Sequence, residues 1–190
     1  MWQWLYNIDK KLLLAINGHF NPTLDKIMWF ASGTASWIPL YAILIIVVII
    51  TYKKESWLII LMIIPLILLS DQFASGVLKP LVHRYRPSHT EGLEYMLHYV
   101  QNYQGGSFGF TSSHASNTFA LATYLTIVAS RRLKWLPYFL FPWAAFISYS
   151  RMYLGVHFPS DVLAGAGCGM FFAWLISILY YKIRTRIKHN

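Results

Sequence analysis

Apolar residues in this chain come in long unbroken runs rather than in alternation. One run extends from about Trp37 to Tyr52, a second from about Trp57 to Leu78, and a third from about Ser113 to Ser130. A fourth follows from about Trp135 to Tyr149 and a fifth from about Asp161 to Tyr181. Crossing a hydrocarbon core of about 30 Å takes about 20 helical residues, and these runs reach or approach that length. Helix is the expected state, because an open strand leaves backbone groups unpaired in lipid. Trp37, Trp57 and Trp135 each stand at the start of a run, where interfacial aromatics belong.

Ahead of these runs, Trp2, Leu5, Ile8, Leu12 and Ile16 recur at helical spacing, interrupted by Asp9, Lys10 and Lys11. That pattern predicts a short amphipathic helix on the membrane surface; a sixth, imperfect span is the alternative. The charges fall within the apolar residues rather than before them, which is unlike a cleavable signal peptide. Asn21 to Ser36, with Pro22 and Gly33, reads as a membrane-surface or re-entrant piece. The longest polar stretch, residues 80–111, is the predicted loop. Together these elements predict one all-α domain over residues 1–190, a polytopic transmembrane bundle of about five spans plus an N-terminal interfacial helix over residues 1–20.

Composition agrees with lipid as solvent. The chain is 56% hydrophobic and 17% aromatic, with a mean hydropathy of +0.44. Only 12% of residues are charged, against about 25% in a soluble domain. The formal charge is +9. The Lys and Arg residues sit in short gaps between apolar runs, which suits anionic lipid head groups and topology control and excludes a nucleic-acid stripe. A single cysteine, Cys168, excludes a disulfide framework and reads as a small packing residue.

The same charges predict orientation. Lys53, Lys54, Arg131, Arg132, Lys134, Lys182, Arg184, Arg186 and Lys188 collect at one side in very short loops and a tail. Lys79, Arg84, Arg86 and Arg151 lie at the other, with Lys10, Lys11 and Lys26 if the N-terminal helix stays there. The positive-inside rule places the C-terminus in the cytoplasm and the long loop outside, in a bacterial plasma membrane.

Three clusters of reactive residues fall on that outer side: Lys79 to Pro87, Thr111 to His114, and Ser150 to Asp161. Lys79, Arg86 and Arg151 are three cations beside hydrocarbon, where charge is expensive unless paired, so they imply an anion. Arginine matches phosphate oxygens with a planar fork of donors and lysine adds a point charge. Lipid anchoring at the interface accounts for Arg84 and His83. His157 and Asp161 are four apart; if a helix starts near Pro159, the carboxylate reaches the imidazole, fixes its tautomer and leaves the other nitrogen free to attack. Asp161 also reads as a helix cap. His114, at the mouth of another helix, is placed to protonate a leaving oxygen or to sit at the interface as a plain polar residue.

These residues resemble the type 2 phosphatidic acid phosphatase family, whose pattern is K-x6-R-P, then P-S-G-H, then S-R-x5-H-x3-D. The first and third motifs match without exception, from Lys79 to Pro87 and from Ser150 to Asp161. In the second, Thr111 replaces Pro and Ser113 replaces Gly, which puts backbone geometry in question. The resemblance covers about residues 71–169. It implies a six-helix-type membrane bundle and a two-step phosphoryl transfer without metal or cofactor. By the same resemblance His157 becomes a phosphohistidine, Asp161 orients it, and His114 is the general acid and later the base. Lys79, Arg86, Arg151, Ser112 and the Ser113 N–H hold the phosphate. The implied substrate is a lipid phosphate or diphosphate. Undecaprenyl diphosphate leads, with phosphatidylglycerol phosphate, phosphatidic acid and lipid A phosphate behind it, and a lipid phosphotransferase is the neighbouring reading. A non-catalytic bundle that binds lipids is the reading from another class.

Weaker signals concern position. Gln72 precedes Lys79 by seven and would share its helical face, and Gly165 and Gly169 form a small-xxx-small pair suited to packing inside the bundle. The loop from Ser88 to Phe110 is either a head-group pocket or lid, or a solvated segment with interfacial aromatics.

Overall fold

The computed structural model describes residues 2–189, with the side chains of Trp2, Lys188 and His189 outside the description. Its helices are α1 (Trp2–Asn17), α2 (Pro22–Ser32), α3 (Ile38–Tyr52), α4 (Ser56–Leu61), α5 (Ile63–Asp71), α6 (Lys79–Val82), α7 (Ser113–Ala129), α8 (Leu136–Tyr153) and α9 (Pro159–His189). The fold class is all-α, as expected.

The first two apolar runs form an antiparallel hairpin. Lys53 turns the chain with a left-handed φ of 50°, and Leu44 and Val48 of α3 join one buried core with Ile59, Met62 and Leu66. The outer faces of the hairpin, Ile43, Ile46, Ile50, Ile64 and Leu68 among them, are exposed apolar surface of the kind that lipid covers. Two stretches, Ala35–Val82 and Pro159–Ile187, are long and apolar enough to cross a membrane. They contain the first, second and fifth of the expected runs. The third and fourth, α7 and α8, are 17 and 18 residues long and carry more polar side chains. Much of α7 is buried against protein, so it tolerates Ser116, Asn117, Thr118 and Thr123.

Helix α7 is the central element, and its closest partner is α9. A methyl group on Gly165 would stand 2.4 Å from the Ser112 carbonyl oxygen, and one on Gly169 would stand 2.0 Å from that of Ser116. The two glycines therefore let the α7 and α9 backbones touch, as their spacing predicts. Ser70 of α5 and Ser116 of α7 share a buried hydrogen bond of 2.7 Å on another side of α7.

At one end of the bundle, Tyr52 donates to the Ala129 carbonyl, Arg132 donates to that of Thr51, and Arg184 pairs with Glu55 at 2.6 Å. This gathers the hairpin turn, the α7–α8 loop and the tail of α9, the elements that carry the larger basic cluster. The reactive residues lie at the opposite end.

Helix α1 turns an unexpected face to the protein. Asp9, Leu13 and Asn17, spaced by four, are buried, whereas Trp4, Leu5 and Leu12 point outward. The inward face carries two polar anchors, and the outward apolar residues remain available to lipid. The segment after it is a regular helix, α2, capped by Asn21, whose carboxamide oxygen accepts from the Thr23 and Leu24 N–H groups. The long loop is fastened down by Leu93, Leu97 and Val100, and Asn17 bonds His98 and the Tyr153 carbonyl.

Between α5 and α6 the chain forms a π-helical segment, Gln72–Leu78. The wider turn removes the seven-residue phase of an α-helix, so the expected face-sharing of Gln72 and Lys79 does not follow from their spacing. Such segments recur at functional sites because they re-aim the residues after them. Here the segment ends directly before Lys79.

Candidate active site

The site is assembled from four helix ends and one extended piece of loop. Lys79 opens α6 and its ammonium donates to the Ser113 hydroxyl at 3.0 Å. Ser112 caps α7, and its N–H donates to the Asp161 carbonyl at 3.0 Å, tying the starts of α7 and α9 together. Arg151 leaves the last turn of α8. Its fork donates to the Ser32 hydroxyl at the end of α2 and to Tyr103 of the loop at 3.2 Å. Arg151 is only 3% exposed, and its Nε has no hydrogen-bond partner among the described residues.

Arg86 lies in a short antiparallel bridge in which Tyr85 pairs with Phe108. Its Nε donates to the Phe108 carbonyl at 3.1 Å, while its buried Nη1 lacks a partner among the described residues. Gly105 makes room for it. A Cβ there would stand 2.6 Å from Nη1, and its φ of 69° is a left-handed angle that suits glycine. Two buried guanidinium groups with unsatisfied donors are expensive in isolation, and an anionic oxygen satisfies both.

His157 and Asp161 stand at the entrance of α9. Pro159 occupies the first helical position, where no N–H is needed. Asp161 reaches back to accept from the Phe158 N–H at 2.9 Å, the acidic half of a capping box. The same oxygen lies 3.7 Å from His157 Nδ1, beyond a hydrogen bond, and that nitrogen has no partner among the described residues. Both readings of Asp161 therefore meet in one carboxylate, which caps the helix and faces the imidazole. His157 is 1% exposed. Burial first, then the charges of Arg86, Arg151 and Lys79, push its pKa well below the ordinary imidazole value, against a weaker opposing effect of the Gly109 backbone. The ring is thus held neutral, the form in which a nitrogen is nucleophilic.

His114 stands on the first turn of α7 and borders two cavities. The outer one, of about 410 Å³, is shared with Arg151, Tyr103 and Ser32; the inner one, of about 280 Å³, with Asp71, Asn117 and Trp37. All eight expected site residues, His157, His114, Asp161, Lys79, Arg86, Arg151, Ser112 and Ser113, lie in this one region of the fold. Among the described residues, no group of three or more His, Cys, Asp or Glu side chains is placed to hold a metal ion.

Arg84 departs from expectation. It is not an interfacial anchor. Its Nη1 donates to Asp161 Oδ1 at 2.9 Å and to the Ser160 hydroxyl at 2.6 Å, and its Nη2 pairs with Asp9 Oδ2 at 2.7 Å. Asp9 in turn accepts from the Ser160 N–H at 3.0 Å, satisfying one of the open donors at the start of α9. A sequence signal for this existed. Arg84 and Arg86 are two apart in an extended segment, and alternate residues of a strand share a face.

A model of the PAP2 superfamily matches residues 60–185. This chain belongs to the PAP2 superfamily. The lipid A 4'-phosphatase of Bacteroides thetaiotaomicron is 37% identical over all of this chain and 84% of its own length. The lipid A 4'-phosphatase of Porphyromonas gingivalis is 29% identical over 97% of this chain and 78% of its own. The crystal structure of the transmembrane PAP2 type phosphatidylglycerolphosphate phosphatase from Bacillus subtilis superposes with a TM-score of 0.68. It covers 94% of this chain and 87% of the other at 23% identity, which speaks for the fold. With these relatives the chain is a PAP2 membrane lipid phosphatase, a hydrolase.

Proposed function

We propose that this enzyme removes a phosphate monoester from a sugar-based membrane lipid of the lipid A type, through a covalent phosphohistidine. The observation that carries the reading is the convergence of Lys79, Arg86 and Arg151 on His157, with His114 beside a cavity large enough for a leaving group. Both lipid A 4'-phosphatase relatives match nearly the whole chain, which moves the weight from undecaprenyl diphosphate to lipid A.

In the first step, Nε2 of neutral His157 attacks phosphorus while Nδ1 faces Asp161. The bond from phosphorus to the leaving oxygen breaks as His114 gives that oxygen a proton. Arg86, Arg151 and Lys79 neutralise the phosphoryl oxygens, and the Ser112 hydroxyl and the Ser113 N–H complete the cradle. In the second step water attacks the phosphohistidine, His114 takes its proton, and inorganic phosphate leaves. The three cations supply the charge that a metal ion supplies in other phosphatases. The site lies on the outer face of a bacterial inner membrane, in a bundle of about five spans whose C-terminus is cytoplasmic. Purified protein in detergent should release phosphate faster from lipid A than from undecaprenyl diphosphate, phosphatidylglycerol phosphate or phosphatidic acid. Preference for the diphosphate would reverse the substrate assignment.

A further inference from the structure

Beneath His114 lies a cavity, apolar over most of its wall but holding a carboxylate and an amide, for which the phosphoryl-transfer steps have no use. Its volume is about 280 Å³, near the lower end of small-molecule sites. Asp71 of α5 and Asn117 of α7 line it one helical turn deeper than His114, with Trp37 and Tyr41 among the other walls. The Asn117 amide donates to Asp71 Oδ1 at 3.0 Å. The other carboxylate oxygen has a hydroxyl, Ser75, only at 3.3 Å. The Asn117 carbonyl oxygen is buried and lacks a hydrogen-bond partner among the described residues. A carboxylate and an amide inside a membrane protein are costly and usually serve a site. The carboxylate, with only a long bond on its second oxygen, keeps acceptor capacity at the cavity wall, and the amide oxygen behind it gains a partner if a donor enters.

We infer that Asp71 and Asn117 form a subsite that accepts hydrogen bonds from the hydroxyl groups of a sugar attached to the scissile phosphate. The inference rests on the proposed chemistry, in which His114 protonates the leaving oxygen, so the leaving group lies on the His114 side of phosphorus. The inner cavity is on that side. A carboxylate beside an amide oxygen that lacks a partner selects hydrogen-bond donors, and the hydroxyls of a sugar ring are donors. Trp37 and Tyr41 offer aromatic surface to the ring's C–H face. Tyr41 also lines an apolar groove with Leu44, Val48, Ile63 and Leu121, below the chamber. A lipid whose sugar carries acyl chains fits this order: phosphate outermost, sugar one turn deeper, chains in the apolar groove. Phosphatidic acid and prenyl phosphates present no hydroxyl at the same position.

The test compares kcat/KM for lipid A and for phosphatidic acid in mixed micelles, in wild type, Asp71→Asn and Asn117→Leu. A site built to bond hydroxyls loses its advantage when its acceptors are removed. The lipid A preference should fall about 10-fold or more in each variant. Asp71→Asn keeps the shape, and a fold defect lowers both substrates together, so the ratio separates specificity from stability. A wild-type enzyme that prefers lipid A and keeps that preference in both variants overturns the subsite alone. A wild-type enzyme that hydrolyses phosphatidic acid and ignores lipid A overturns the substrate reading and the subsite with it.

Discussion

Arg84 and Asp161 form an ion pair of 2.9 Å in which the carboxylate is fully buried and the guanidinium is about a quarter exposed. Arg84 holds Asp9 of α1 with its other nitrogen, so α1 is bonded through one side chain to the carboxylate that faces His157. Asp161 needs this support. Its two oxygens serve a helix cap, an arginine and the imidazole at once, and removing one partner of a buried charge is strongly destabilising.

On the proposed mechanism Arg84 acts as a positioning residue. Arg84→Gln should lower kcat about 10- to 100-fold with little change in KM, because the substrate does not touch it. Arg84→Lys should recover part of that loss, since a point charge can hold one acid but not fork between two. Steady-state kinetics on phosphatidic acid in detergent is the measurement. A rise in KM at constant kcat would mean instead that Arg84 binds the phosphate.

The α7–α9 contact predicts a stability effect without any chemistry. Gly169→Ala forces a methyl group to within 2.0 Å of a backbone oxygen, whereas Gly167 has nothing within 4 Å. Overpacking of this kind costs about 1–3 kcal/mol. Gly169→Ala should lower the melting temperature in detergent by several degrees, and Gly167→Ala should leave it unchanged. Equal behaviour of the two would remove the glycine contact as a fastening of the bundle.

The pH profile follows from the charge around His157. Its pKa is lowered by burial and by Arg86, Arg151 and Lys79, so protonation, which would remove the proposed nucleophile, occurs only at a pH well below the ordinary imidazole value of about 6.5. The acid limb of kcat/KM should therefore lie below pH 6.5. Arg86→Gln removes one depressing charge and should shift that limb upward. An acid limb unmoved in this variant would assign it to another group.

Legibility in the sequence divides along physical lines. Two apolar runs match their helices closely, Ser113–Ala129 against Ser113 to Ser130 and α3 within one residue, whereas α9 continues past the expected Tyr181 to His189 and the second run is divided into α4, α5 and the π-helical segment. Motif spacing brought Lys79, Ser112, His114, Arg151 and His157 to one end of the bundle. What hydropathy could not supply was the direction each side chain takes. Helix α1 faces inward along Asp9, Leu13 and Asn17 because buried polar partners outweigh a wider apolar stripe. The spacing of Arg84 and Arg86 points Arg84 to the same face, but its two partner acids are illegible for the same reason, since they lie 75 and 77 residues away. The π-helical turn before Lys79 has no periodic signature in the sequence. Ser113 illustrates a substitution that spacing cannot weigh: where the family pattern has glycine, its hydroxyl bonds Lys79.

The last prediction concerns the nucleophile and the source of charge. If His157 attacks phosphorus, a phosphoenzyme forms whose phosphorus–nitrogen bond is acid-labile and base-stable. Labelled substrate quenched without acid should trap it in the wild type and not in His157→Ala, which should be inactive. His114→Ala should retain nucleophilic attack on an aryl phosphate, whose leaving group needs no proton, and should lose most of its activity toward a lipid alkoxide. Arg86, Arg151 and Lys79 balance the phosphate charge where a metal phosphatase would use Mg²⁺. Asp161, the carboxylate beside His157, is already engaged by Arg84 and the Phe158 N–H. Activity should therefore persist in EDTA. A strict requirement for an added divalent ion, or turnover in His157→Ala, would refute this division of labour, because the first would mean the cations are insufficient and the second that another atom attacks.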